Sequence, residues 1–538
     1  MWPFLFYGEF MMRNKDIKTN ATRKSAIFKS GKNKLVSLAF GRTGLIVLAL
    51  ALQAILLIAV FVWFSKYSQL FLILVLLLTF IMIIYIHNAE IDASLKLAWM
   101  LPIIIFPIFG TLLFTFFSFQ KTPRYAKRRL DFIAEKRKRF LLQNNNVEEK
   151  LKEDNRRVAN LSAYLNKYAD APIYFCDECE YFELGEYAFE RMKEKLRCAK
   201  HFIFLEYFII EHGKMWDSIL EILIEKANEG VEVRVMYDGT CSFKLLPHNY
   251  PKQLEALGIK CKVFSSIKPL LSIYQNYRDH RKIMVIDGEC AFTGGINMAD
   301  EYINETHKLG HFKDTAVMIS GKGVMSFTMI FLELWNIDTQ LEDISKYAVQ
   351  CGQQFKKGYI IPYSDKPIGT ENIAENIIMD LLYNSKSYVH MTTPYLTLDD
   401  DMLTAIKYAA KRGVETVIVI PAHSDSFFNQ VLAYDYLPEL LEAGVEVYEY
   451  TPGFIHAKNI VSDDEFAMVS SVNLDFRSLY LNYESGLYMY GCDAVNDIEK
   501  DFKNILSDSK RITIIDYKNT SVFKRMLGFV LKLIAPLM

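Results

Sequence analysis

The sequence predicts an α/β protein built as two tandem halves with pseudo-twofold symmetry, preceded by N-terminal transmembrane helices. Three observations carry this. Apolar stretches of bilayer length are confined to residues 45–117, short apolar runs alternate with amphipathic stretches from about residue 171, and that alternation recurs about 180 residues later.

The 538 residues are 51% hydrophobic and carry 62 Lys and Arg against 63 Asp and Glu, which excludes disorder, collagen and a disulfide scaffold. Eight cysteines without a repeated spacing suit reduced thiols in a cytosol-facing chain. The near-zero charge hides a separation. Residues 1–42 and 119–140 each hold nine basic residues and two acids, leaving residues 141–538 at −15. An acidic remainder argues against nucleic acid as a partner, because duplex binding draws on a basic face.

Residues 1–42 form a basic N-terminal segment, and residues 43–118 a membrane region with apolar segments 45–64, 70–86 and 97–117. Each approaches the roughly 20 residues that a crossing helix needs. The third holds Pro102, Pro107 and Gly110, so a kinked or re-entrant segment is its alternative reading. Positive-inside reasoning puts both basic blocks in the cytoplasm, which demands an even number of crossings where three segments are available. A multi-pass protein of the cell membrane with a cytoplasmic catalytic part is expected, because Lys127-Arg128-Arg129 and Lys136-Arg137-Lys138-Arg139 retain that flank inside. Residues 119–170 read as a basic helical linker.

From 171 the pattern is α/β. His201–Ile210 reads as a strand, Trp216–Ala227 as a helix and Gly230–Tyr237 as the next strand; Ser387–Leu396, a helix capped by Asp399 through Ala410, and Gly413–Ile420 repeat that order. The halves are placed at 171–350 and 351–518, followed by an amphipathic tail, 519–538, that suits either a membrane interface or simple packing.

The chemistry sits at equivalent places in the two copies. His280, Lys282 and Asp287 precede Gly294-Gly295-Ile296-Asn297, and His456, Lys458 and Asp463 precede Ser470-Ser471-Val472-Asn473. In both, His to Lys is two residues, His to Asp seven and His to Asn seventeen. Residues i and i+2 of a strand share a face, so each His and Lys point to one side. Small residues before an amide suit a close backbone approach, which makes Gly294, Gly295, Asn297, Ser471 and Asn473 candidate substrate-binding residues. Two imidazoles and two ammonium groups suit a phosphodiester. One His attacks phosphorus, the other protonates the departing alkoxide, and the cations hold the non-bridging oxygens, with no metal or other cofactor required. Each Asp is expected to orient an imidazole. Cys176-x2-Cys179-x18-Cys198-x2-His201 has zinc-like spacing but is read as packing.

These motifs resemble those of the phospholipase D superfamily, and the flanks resemble bacterial cardiolipin synthases from about residue 70 to the end. The resemblance rests on Trp99 with Pro107 and Gly110, Phe204-Leu205-Glu206-Tyr207, Asn276-Tyr277-Arg278-Asp279-His280, Thr393-Pro394-Tyr395, Gly453-Phe454-Ile455-His456 and Asn473-Leu474-Asp475-Phe476-Arg477-Ser478 leading to Asn482 and Glu484. Ser470-Ser471, and His311-Phe312 before Asp314, depart from the usual pattern. The resemblance implies two phospholipase D-like halves and transfer of a phosphatidyl group from one phosphatidylglycerol, an anionic phospholipid of the membrane, to another, releasing glycerol. Phospholipase D-type hydrolysis and phosphatidylserine synthesis are the alternatives. Arg278, Arg281 and Lys282 around His280 favour a neutral nucleophile there, and Asp463-Asp464-Glu465 after His456 favour a protonated general acid.

Overall fold

The computed structural model describes residue 55 and residues 68–537, apart from 90, 119–120, 242–244, 266–276, 340, 350–356 and 370. The basic segment 1–42, nearly all of the apolar segment 45–64, and Asn276 lie outside the described residues. Two units are distinguished: residues 1–89, 99–119 and 268–272, and the remainder.

In the first unit, α1 (Ser68–His87) is apolar on every side, and its Gln69–His87 stretch is the one helix among the described residues long and apolar enough to cross a membrane. The third apolar segment is not one crossing helix. It is split into α2 (Ala93–Ile105) and α3 (Pro107–Ser118), with a bend at Phe106. Pro107 cannot donate to the helical ladder, and its ring opposes the preceding turn. The chain then doubles back so tightly that a Cβ on Gly110 would lie 2.5 Å from the Pro102 carbonyl oxygen. Ile86, Ile103 and Phe114 bury one another there, with Trp99 edge-on to Phe114.

The second unit holds two sheets. The first, seven-stranded, is built from β1 (Glu178–Phe182), β2 (Phe202–Tyr207), β3 (Glu232–Asp238), β4 (Lys260–Phe264), β6 (Lys282–Ile286), β7 (Cys290–Gly294) and β9 (Ala316–Ser320), in the order β1-β9-β7-β6-β2-β3-β4. Two short strands, β5 (Arg278–Asp279) and β8 (His311–Lys313), leave this half to pair with the other. The second sheet runs β10-β17-β16-β15-β11-β12-β13-β18, from β10 (Tyr359–Asp365), β11 (Tyr388–Thr392), β12 (Glu415–Pro421), β13 (Glu446–Tyr450), β15 (Asn459–Ser462), β16 (Phe466–Ser470), β17 (Asn482–Tyr490) and β18 (Ser509–Arg511), while β14 (Gly453–Ile455) pairs with β8. Seven strands of each sheet therefore follow one order: the last three, β2-β3-β4 and β11-β12-β13, are parallel to one another, and the four before them pair antiparallel.

The sheets meet through one apolar layer. Phe204, Val285 and Val317 of the first and Val461, Val469 and Leu487 of the second share a cluster with Phe327 and Phe331 of α8 (Val324–Trp335). Because both sheet faces are covered, strands such as Phe-Ile-Phe-Leu-Glu-Tyr are buried at every position. The linker is packed as well from residue 125 onward. Leu130 of α4 (Lys121–Arg137) joins the central cluster, Arg137 reaches Glu333 at 2.9 Å, and Leu151, Val158 and Leu165 enter the core of the second half. Asn144 caps the next helix by accepting from the Asn146 amide, and Asp399 caps α9 (Asp400–Lys411) by accepting from the Met402 amide.

Candidate active site

The site is made by two parallel strand pairings that cross between the halves. Arg278 and Asp279 pair with Asn482 and Tyr483, so the next residues, His280 and Glu484, come side by side. Gly453, Phe454 and Ile455 pair with His311, Phe312 and Lys313, which brings His456 beside Asp314 in the same way. His280 Nδ1 lies 2.9 Å from both Glu484 oxygens, and His456 Nδ1 lies 2.6 Å from Asp314 Oδ2. Each half's imidazole is thus gripped by the other half's carboxylate. A ring that donates from Nδ1 keeps its Nε2 lone pair for chemistry.

Lys282 and Lys458 share a face with their histidines, as the two-residue spacing requires, and each folds its ammonium back onto the His carbonyl two residues earlier. Lys458 Nζ also lies 2.8 Å from His456 Nδ1. All four side chains are buried. Burial, then the charges of Lys282, Lys458 and Arg477, holds His280 well below the ordinary imidazole value. Burial and Lys458 bring His456 down to about 4. Burial likewise lowers Lys282 to about 7, with Lys458 adding to the effect, and lowers Lys458 to about 8. Glu484 is pushed up to about 7 by burial. Cations of both halves act on both imidazoles, so the two motifs form one electrostatic site.

Asp287 and Asp463 do not face the imidazoles. Seven residues along a strand carry the chain roughly 20 Å away, to the far corner. There Asp287 accepts from the backbone amides of Lys200, His201 and Phe202 at 2.7 Å, and Asp463 from those of Lys386, Ser387 and Tyr388 at 2.8–3.0 Å. Both take left-handed backbone conformations, φ 54° and 57°. They pin equivalent corners of the two sheets. The acids after His456 therefore cannot protonate it. Arg281 also points away, to within 3.6 Å of the buried Glu206, and Arg278 turns to Asp238.

The expected substrate-binding residues divide. Gly294 and Gly295 make room: a Cβ on Gly295 would sit 2.1 Å from Asp314 Oδ1, and one on Gly294 2.4 Å from the Thr315 carbonyl oxygen. Asn297 is already engaged, donating to the Tyr302 hydroxyl at 2.7 Å and accepting from the Ile209 amide at 3.0 Å. Ser471 donates to Glu484, steadying the carboxylate that holds His280. Asn473 gives its amide nitrogen to Asp475 at 3.3 Å, and its buried carbonyl oxygen has no partner among the described residues. Asp314, Glu484 and Arg477 were absent from the residue set drawn from the repeat. The carboxylates lie seventeen residues after Asn297 but eleven after Asn473, so comparison of the copies does not align them.

Cys176 is buried in the central cluster, while Cys198 and His201 are exposed, and among the described residues no group of three or more His, Cys, Asp or Glu is placed to hold a metal ion.

A mixed α/β fold with two such halves defines a phospholipase D-like protein. The family described as cardiolipin synthase, PLD-like domain, matches residues 192–335 and 378–506. A Streptococcus mutans protein of uncharacterized function is 44% identical over 85% of this chain and 99% of its own. Cardiolipin synthases of Alkalihalophilus pseudofirmus and Halalkalibacterium halodurans are each 32% identical over 85% of this chain and 91% of theirs. The crystal structure of a Haemophilus influenzae phosphatidylserine synthase shares the fold, with TM-score 0.53 and 15% identity over 70% of this chain and 96% of that one. The chain belongs to the cardiolipin synthase family.

Proposed function

We propose that this protein transfers a phosphatidyl group between two phosphatidylglycerol molecules, making cardiolipin and glycerol. The observation that carries the reading is the crossed clamp, which sets two imidazoles and two ammonium groups around one buried site. His280 Nε2 attacks phosphorus and the bond to the head-group glycerol breaks, while His456 donates a proton to the departing alkoxide. The free hydroxyl of a second phosphatidylglycerol then attacks the phosphohistidine, His456 takes back a proton, and cardiolipin leaves with His280 restored. Lys282, Lys458 and the amide of Asn473 stabilise the phosphoryl oxygens. His280 is assigned as nucleophile because burial and the charges of Lys282, Lys458 and Arg477 hold it neutral, whereas Asp314 favours the charged form of His456. His456 acquires its proton as the anionic lipid enters and offsets Lys458.

Helix α1 supplies a crossing, with α2 and α3 as a re-entrant pair. At ~1.5 Å per residue each arm of that pair reaches only about 20 Å into a 30 Å core. The basic run Lys127-Arg128-Arg129 with Lys136-Arg137-Lys138-Arg139 holds the flank after α3, and the catalytic part with it, on the cytoplasmic side. Purified protein given labelled phosphatidylglycerol should yield a tetra-acyl product and one glycerol per turnover. Phosphatidic acid as the main product would replace transfer by hydrolysis.

A further inference from the structure

Helix α11 (Val522–Ile534) has two apolar faces, and the described residues cover only one. Its inner face, Gly528 and Leu531 with Ala535 just beyond, packs on Val431 and Leu432 of α10 (Phe427–Glu442), where Gly528 stands so close that a Cβ would be 3.2 Å from the Val431 carbonyl oxygen. Lys532 fixes that contact through Asp435 and Glu439. The outer face presents Val522, Met526, Phe529 and Leu533, spaced i, i+4, i+7 and i+11 as one stripe, flanked by Phe523 and Val530. Phe523 is 72% exposed, Met526 66% and Phe529 67%, against near-complete burial for core aromatics of the same unit. An apolar stripe of this density marks a contact surface.

Two further features fix the partner. Residues 509–538 hold six basic residues and one acid within a region whose total is strongly acidic. Arg525, beside a cavity of about 100 Å³ between α10 and α11, leaves its buried Nε without a partner among the described residues. The stripe is also joined to the active site through α10. Phe427 and Phe428, each about half exposed, open that helix, and Lys524 sits over the Phe427 ring. Two residues before Phe427, Asp425 accepts from the Tyr395 hydroxyl at 2.6 Å, and its charge acts on Lys458 and Tyr302. Tyr302 in turn stands edge-on to His456.

We propose that the outer face of α11, with Phe427 and Phe428, is the surface by which the catalytic unit lies in the bilayer interface, Lys524 and Arg525 taking the phosphates of anionic lipid and the Phe427 end marking where the head group enters the site. Apolar burial supplies the insertion and the cations the preference for anionic lipid. The proposal rests on the phosphatidylglycerol reading above, and its test separates the two.

Full-length protein carrying Cys198→Ser and Phe529→Cys, labelled with an environment-sensitive fluorophore and reconstituted in phosphatidylglycerol vesicles, should show blue-shifted emission quenched by lipid bearing a nitroxide near the head group. The same label at Lys193→Cys should show neither. Water-like emission at 529 would overturn the proposal. A blue shift that no nitroxide lipid quenches and that grows with protein density would overturn it in favour of a second copy of the chain. In the unlabelled protein, Met526→Glu with Phe529→Glu should lower transfer on bilayer substrate about tenfold and leave transfer between water-soluble short-chain phosphatidylglycerols within about twofold. Equal loss on both substrates would contradict interfacial docking. A wild-type protein that transfers neither substrate would sink the catalytic reading, while the quenching result still decides the surface.

Discussion

The two halves share a strand order and a motif, yet they hold their imidazoles with different tools. His280 faces a glutamate whose oxygens are fixed by Ser471 and by the Asn482 amide at 3.1 Å. His456 faces an aspartate, shorter by one carbon, whose Oδ1 accepts from the Thr315 amide at 2.8 Å and occupies space that Gly295 leaves open. The small residue after the second motif strand is matched to the arm of its own half's carboxylate, Gly295 beside Asp314 and Ser471 beside Glu484. The departure from a Gly-Ser pattern at Ser470-Ser471 is thus local to a supporting contact: the Ser471 hydroxyl braces Glu484, while its backbone bears on His280.

If the halves build one site, removing either ammonium should be costly. Lys282→Ala and Lys458→Ala should each lower kcat about 10²–10³-fold with the fold intact by circular dichroism, as for loss of a transition-state donor. Near wild-type turnover in either would mean two separate sites or a silent half. The clamps come next. Glu484→Gln and Asp314→Asn should each cost about 10²-fold or more in kcat with little change in KM, since an amide leaves the imidazole in place but fails to support its charge. Gly295→Ala should approach that loss by displacing Asp314, and Ser471→Ala should cost less, about fivefold to tenfold, because Asn482 still holds Glu484. An equal loss in those last two variants would contradict the matched-arm account.

The pH profile sharpens the comparison. In the free enzyme burial and the nearby cations hold His280 neutral well below 6.5, so the acid limb of kcat/KM should fall well below pH 6.5, where the nucleophile takes a proton. Lys282 and Lys458 lose their protons as pH rises through about 7 and 8, so kcat/KM should decline there. The corresponding limb of kcat should lie higher, because bound phosphate holds the ammonium protons. The smallest effect on chemistry belongs to the corner acids. Asp287→Ala and Asp463→Ala should each destabilise by about 1–3 kcal/mol, since three backbone amides lose their acceptor, while turnover per folded molecule stays near wild type. Thermal unfolding beside active-site titration separates the two quantities.

Much of this arrangement was legible in the sequence. The repeat, the strands around His280 and His456 and the shared face of each His and Lys follow from spacings of two and 3.6 residues. The roles of Asp287 and Asp463 were not, because a fixed distance in sequence is not nearness in space, and along a strand it means the opposite. The clamps depend on pairings between segments 204 and 142 residues apart, which no local pattern records. The same holds for α2 and α3: the prolines announced a kink, but only the close approach at Gly110 shows the chain doubling back.

The most direct test of a site shared crosswise between the halves is rapid quenching of the enzyme during turnover of labelled phosphatidylglycerol, with the phosphoramidate mapped by mass spectrometry. The account predicts a phosphatidyl adduct on His280 that forms about 10²-fold more slowly in Glu484→Gln, a change confined to the other half. An adduct on His456 in the wild-type protein, or an unchanged rate of His280 labelling in Glu484→Gln, would contradict it.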